Sequence, residues 1–396
     1  MKVILLFITC FSLIPILHTY LFYPLICFIL SKYRKANFET YNFTDELPFV
    51  SFIMPLHNEE KVLQEKIKSL NELNYPTDKI KWFIGSDAST DKTNEILKQV
   101  SAHHNVYFID VRTGKPGMVN FLVNKAFEYK AQGSGHILLF TDASVMLHPD
   151  CLFMLIKFFK GQKIGLVDAN MVNKGVTNAN ISFAESKYVS LEVKLKHWES
   201  ILNQKMIGPF GGCFALRSNY FTPIPDNFLV DDFFLCMEVF KKNGNAINSL
   251  EAISYESVSQ EITEEFRRKS RIAAGNLQNK HYFDDFLKGP LLKIAFFIYS
   301  HKVFRWYVPA FVAILLISIT GLSFIQPKPF LYILVSLILT IFGIPFVESI
   351  LSKLKIVISP IKSLNYFIRM NFALLKGFID YYKGIKSNVW QPTKRY

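Results

Sequence analysis

The 396-residue chain carries 45 Lys and Arg against 32 Asp and Glu, a formal charge of +13, and half of its residues are hydrophobic. That length leaves room for a large catalytic domain plus other elements, and the mean hydropathy of +0.20 is high for a soluble protein of this size. Five cysteines without a Cys-x-x-Cys pair argue against a structural zinc site or a disulfide framework and read as reduced, buried thiols.

In chain order, residues 3–30 contain no Asp, Glu, Lys or Arg. A bilayer is crossed by about 20 apolar residues, and a cleaved signal has a shorter core of roughly 7–15 with an Ala-x-Ala-like site. No such site precedes Lys32-Tyr33-Arg34-Lys35, so residues 1–31 read as an uncleaved anchor. Residues 48–289 read as a globular α/β domain. Strands are expected at 49–54, 81–85, 106–110, 136–140 and 164–171. Helices are expected at 59–71, 91–100, 117–129, 181–203 and 229–241, with a glycine turn at 210–214. Strands alternating with helices imply a mainly parallel sheet with flanking helices. Residues 290–305 read as an interfacial segment and 306–348 as a transmembrane hairpin broken at Gln326-Pro327-Lys328-Pro329. Residues 353–396 read as a basic interfacial helix and cytoplasmic tail, with nine Lys or Arg and the single acid Asp380. Positive charge collects on the cytoplasmic side, so the domain and C-terminus are expected in the cytoplasm. The juxtamembrane position of the charge makes anionic lipids, and not nucleic acid, the expected partner.

Three acidic stations follow apolar runs: Asp87 in Gly-Ser-Asp-Ala-Ser-Thr-Asp, Asp142 in Thr-Asp-Ala-Ser, and the pair Asp231-Asp232. In open α/β sheets, ligands bind at the carboxyl ends of the strands. A carboxylate at Asp87 can accept a hydrogen bond from a nucleobase or ribose; helix capping is the competing role, and it suits Asp91 better. A carboxylate at Asp142 can hold Mg²⁺ or Mn²⁺ on a diphosphate; turn capping competes. Two adjacent carboxylates are costly to bury without partners. One of them can serve as a general base, although an acidic helix N-terminus accounts for the other. The basic run from Arg267 to Arg271 offers guanidinium groups for a diphosphate or a lipid. Lys115 after Gly114 can also reach a phosphate, but Gly114-Lys-Pro-Gly117 lacks the spacing of a P-loop.

In this order the motifs resemble family 2 glycosyltransferases of the GT-A fold, with Val50-Ser-Phe-Ile-Met-Pro55-Leu-His-Asn58-Glu59-Glu60 similar to the opening strand and loop. The resemblance covers roughly residues 49–278 and implies a Rossmann-like cytoplasmic GT-A domain flanked by transmembrane helices. It implies donor contacts from Pro55, Asn58, Glu59, Asp87, Lys115, Asp142 and Arg268, with Asp87 on the nucleoside. It further implies Mg²⁺ or Mn²⁺ at Asp142 and Ser144, and acceptor contacts from Phe210, Gly211 and Gly212. Asp232, beside Asp231, takes the place of the base, and Arg271 that of the group stabilising the leaving diphosphate. The implied reaction inverts the anomeric centre, moving sugar from a nucleotide-sugar, expected to be a UDP-sugar, to a lipid-linked or membrane-proximal glycan acceptor. Two departures stand out: Ser144 occupies the place of a second metal-binding Asp, and Arg268-Lys-Ser-Arg271-Ile272 lacks the Gln and Trp of processive members. Transfer of one or few sugars is therefore expected. The alternative is a membrane scaffold with a degenerate transferase domain.

Overall fold

The computed structural model describes the chain except residues 102–103, 134, 176–181, 258–260, 289–291, 355 and 386–396. The expected tail beyond 385, with its Trp390-Gln-Pro-Thr-Lys-Arg395 run, lies outside the described residues.

Eight strands form one sheet: β1 Phe49–Leu56, β2 Ile80–Asp87, β3 Asn105–Ile109, β4 His136–Thr141, β5 Val145–Leu147, β6 Ile164–Lys174, β7 Cys213–Arg217 and β8 Asn245–Ser257. Their order is β3-β2-β1-β4-β7-β6-β8-β5. The first half is parallel throughout, with β1 paired to both β2 and β4, and β2 to β3. Both of its faces are covered. Ile53, Phe83, Leu138 and Phe140 point into one core, while Phe52, Ile84, Ile137 and Leu139 point into the other. A strand buried on both faces reads as a continuous apolar run, which is why β1, β2 and β4 are visible in the sequence.

The second half departs from the expected parallel pattern. β7 runs antiparallel to β4 and β6, and β5 antiparallel to β8, so the sheet is mixed. The glycine turn expected at 210–214 gives way to β7 from Cys213 onward. The helix expected from 59 begins at Leu63, and the one expected from 117 begins already at Gly114.

Among the described residues, three helices are long and apolar enough to cross a membrane: Lys2–Lys32, Val308–Ile325 and Pro327–Lys353. The first packs on the second, with Thr9 Oγ1 donating to Ser318 Oγ at 2.9 Å. The stretch expected to lie along the membrane surface at 290–305 also enters the domain core, where Ile294, Ile298, Val303 and Trp306 join the cluster around Phe233 and Phe234. Helix Ser359–Tyr382 packs on helix Ile262–Tyr282 so closely that a Cβ on Gly377 would stand 2.6 Å from Ser270 O. Any side chain there would push the basic C-terminal helix off the domain.

Candidate active site

The carboxyl ends of β1 and β4 and the start of β7 meet on one edge of the sheet. Asp142 N–H donates to Gly212 O at 3.1 Å, and Thr141 Oγ1 to the same oxygen at 3.2 Å. The antiparallel β4–β7 pairing thus brings Asp142 beside Gly211 and Gly212. Lys66, fully buried on helix Leu63–Asn71, locks this corner by donating to Thr141 Oγ1 at 2.7 Å and Val145 O at 2.5 Å. Burial lowers its amine to about 8.

Asp231 and Asp232 open helix Asp231–Lys241, where their charges oppose the positive end of the helix dipole. The long helix Ile262–Tyr282 fixes their approach. Gln278 Oε1 accepts from Leu229 N–H, Arg271 Nη1 donates to Leu229 O, and Asn279 Nδ2 donates to Val230 O, at 3.1, 3.1 and 3.0 Å. A Cβ at Gly275 would lie 2.6 Å from Val230 Cγ2, so glycine lets the helix come this close.

Between the two acidic stations stands Lys115, in the first turn of helix Gly114–Tyr129, a place the dipole disfavours for a cation. Its Nζ lies 3.0 Å from Asp142 Oδ1 and 3.6 Å from Asp231 Oδ2. Burial opposes its charge, but Asp142, Asp231 and Asp232 together hold the ammonium well above the ordinary lysine range. For Asp232 the balance runs the other way. Burial first, then the charge of Asp231, push its carboxyl up to about 7 against the pull of Lys115. Gly211 lies against this group, since a Cβ there would be 2.6 Å from Asp232 Oδ2.

These groups line a solvent-open cleft. Of the residues singled out from the sequence, it collects Pro55, Glu59, Lys115, Asp142, Ser144, Phe210, Gly211, Gly212, Asp231, Asp232, Arg268 and Arg271. Arg268 is held 3.2 Å from Glu265 and 3.6 Å from Glu185. Glu265 first, with Glu256 and Glu185, outweighs burial and keeps its guanidinium charged. Burial lowers Arg271, partly offset by Asp231.

Two expectations fall outside the cleft lining. Asp87 is fully buried. Its Oδ1 accepts from Thr113 N–H at 2.7 Å and Thr113 Oγ1 at 3.0 Å, and its Oδ2 accepts from Gly114 N–H at 3.0 Å, with Arg112 Nε 3.5 Å away. The carboxylate satisfies the N-terminus of the helix that carries Lys115. Asn58, in the left-handed region at φ 54°, ties the first loop to the second: Oδ1 accepts from Thr90 N–H at 2.8 Å. Glu256, at the end of β8, also lines the cleft and was not singled out. Its strand reads Asn-Ala-Ile-Asn-Ser-Leu-Glu-Ala-Ile-Ser-Tyr-Glu-Ser, without a continuous apolar run.

The architecture is that of the GT-A fold with added helices long and apolar enough to cross a membrane. It is similar to a mannosyltransferase from Pyrobaculum calidifontis solved in complex with GDP-Man and Mn²⁺, at TM-score 0.65 and 16% identity, covering 96% of this chain and 100% of that one. Residues 51–222 match the family described as Glycosyl transferase family 2, and this part of the chain is a glycosyltransferase domain. The chain is 30% identical over 178 residues to a beta-monoglucosyldiacylglycerol synthase of Nostoc sp., covering 44% of this chain and 35% of that protein. It is 28% identical over 217 residues to a poly-beta-1,6-N-acetyl-D-glucosamine synthase of Staphylococcus epidermidis, covering 50% and 48% respectively. The chain thus spans half or less of these relatives.

Proposed function

We propose that this protein transfers a sugar from a nucleotide-sugar, with inversion, to a hydroxyl of a lipid-linked or membrane-proximal glycan acceptor, with its domain on the cytoplasmic side. The observation that carries the reading is the meeting of Asp142, Lys115, Asp232 and Arg271 in one cleft.

The residues fit a divalent cation shared with the donor. Asp142, partly exposed to the cleft, and Ser144 are hard oxygen ligands. Among the described residues no three His, Cys, Asp or Glu group as a metal cage. Mg²⁺ ordinarily takes one or two carboxylates plus phosphate oxygens. When bound at Asp142 and Ser144, the metal neutralises charge on the diphosphate.

The protein's own groups supply the rest. Asp232, titrating at about 7, takes the proton from the acceptor hydroxyl as its oxygen bonds the anomeric carbon. The bond from that carbon to the diphosphate oxygen breaks in the same step. Lys115, Arg268 and Arg271 meet the charge left on the diphosphate. Phe210, Gly211 and Gly212 form the wall against which the acceptor lies. Named relatives that make a glycolipid and a polysaccharide support an acceptor of this kind. The test is nucleoside diphosphate release from a panel of UDP- and GDP-sugars with the full chain in membranes, with Mn²⁺ and with chelator. Release by wild type and none by Asp232→Asn is expected; no release from any donor would reject the reading.

A further inference from the structure

Behind the wall of Phe210, Gly211 and Gly212 lies a buried ion pair that the proposed chemistry does not use. Asp168 on β6 and Lys196 on helix Ser182–Asn203 have no solvent exposure, with Nζ 2.5 Å from Oδ2. Asn248 Nδ2 on β8 donates to the same Oδ2 at 3.1 Å. The other oxygen, Oδ1, accepts from Phe210 N–H at 3.0 Å. Lys196 Nζ also stands over the Phe210 ring, 3.6 Å from its centroid. The pair therefore grips Phe210 twice, by its backbone and by its ring. Asp168 sits where the β6–β8 register jumps from Asp168↔Asn248 to Asn170↔Ile253, and such irregularities re-aim side chains beside active sites.

One residue further on, Gly211 lies against the Asp232 carboxylate, where a Cβ would stand 2.6 Å from Oδ2. A continuous line of contacts thus runs from the Asp168–Lys196 pair through Phe210 and Gly211 to Asp232. Stability alone is a poor reason for such a pair, because well-packed apolar residues of similar volume often serve as well or better. We propose that Asp168 and Lys196 are positioning residues that hold the Phe210–Gly212 wall closed against Asp232, so that the carboxylate stays partly shielded from solvent and the acceptor meets it in one orientation. This rests on the reading of Asp232 as the base.

The test reads Asp232 directly, by carboxylate ¹³C NMR of the full chain in nanodiscs, the resonance being the one lost in Asp232→Asn. In wild type it is expected to titrate at about 7. In the double variant Asp168→Leu with Lys196→Met, the wall loosens and the carboxylate gains solvent exposure. Its midpoint then falls by roughly one pH unit or more toward the ordinary carboxylate value. Phe210→Ala leaves the pair in place and is expected to lower the midpoint in the same direction, which keeps the test open if the double variant does not fold. An unmoved midpoint in Phe210→Ala, or in the folded double variant, would overturn the inference. Nucleoside diphosphate release by Asp232→Asn separates the two readings: undiminished release removes the base and this inference with it. Abolished release with an unmoved midpoint removes the inference alone.

Discussion

Asp87 is a fully buried carboxylate and Asp232 a partly buried one, both at the edge where the sheet presents its candidate site, and their surroundings differ. In the parallel half, Asp87 spends its oxygens on Thr113 and Gly114 and faces Arg112. In the mixed half, Asp232 accepts from the Phe233 N–H at 2.7 Å, borders Asp231 and Gly211, and is pushed up to about 7 by burial. A carboxylate saturated by backbone donors builds structure. One left short of partners beside a like charge is poised to take a proton.

The contrast breaks most visibly at Asp232. Replacing it by Asn is expected to cost about 10²–10⁴-fold in turnover, with nucleotide affinity retained by calorimetry; equal losses in both would place Asp232 in donor binding instead. Gly211→Ala drives a methyl group into the same carboxylate and is expected to lower turnover about 10²-fold, the scale of an ångström-sized displacement. Wild-type rates in that variant would mean the carboxylate can work from elsewhere. Lys115→Met leaves Asp142, Asp231 and Asp232 without their shared cation, and is expected to weaken nucleoside diphosphate binding roughly 10- to 100-fold. Unchanged affinity would assign Lys115 to neutralising the acids alone.

Asp87→Ala is expected to act on stability, not chemistry. It strands the Thr113 N–H and the buried Gly114 N–H, at about 1–3 kcal/mol for the buried, unsatisfied donor. The melting temperature should fall while the folded fraction keeps its turnover number. A variant with normal melting and weakened nucleotide binding would restore Asp87 to the donor. The smallest effect is one of linkage. The folded-state pKa of Asp232 is raised above the ordinary aspartate value. The stability it contributes is therefore fully present below about pH 4 and is lost as pH rises through about 7. Asp232→Asn should melt above wild type at pH 8 and match it at pH 4; the reverse order would contradict the raised value.

Much of the first half was legible because β1, β2 and β4 are apolar on both faces and stop at Pro55, Asp87 and Asp142. The membrane helices were legible from unbroken apolar length. β8 was not, since Asn248, Ser249 and Ser254, although buried, break up its apolar run, and Glu256 was hidden with it. β7 followed glycines that read as a turn. Most of the cleft residues were found because motif order survives without coordinates. What the sequence could not convey is the set of hydrogen bonds that Thr113 and Gly114 fold against Asp87. The Asp168–Lys196 pair is likewise a contact between distant segments, with no local signature.

The central claim is that one cleft carboxylate, tuned by burial and by Asp231, carries the sugar transfer. Its most direct measurement is the pH dependence of nucleoside diphosphate release under acceptor saturation, for wild type and Asp232→Asn. The account predicts a rate that rises with pH through a midpoint near 7 in wild type and is abolished in the variant. A wild-type rate flat across that range, or a variant that turns over as wild type does, would contradict it.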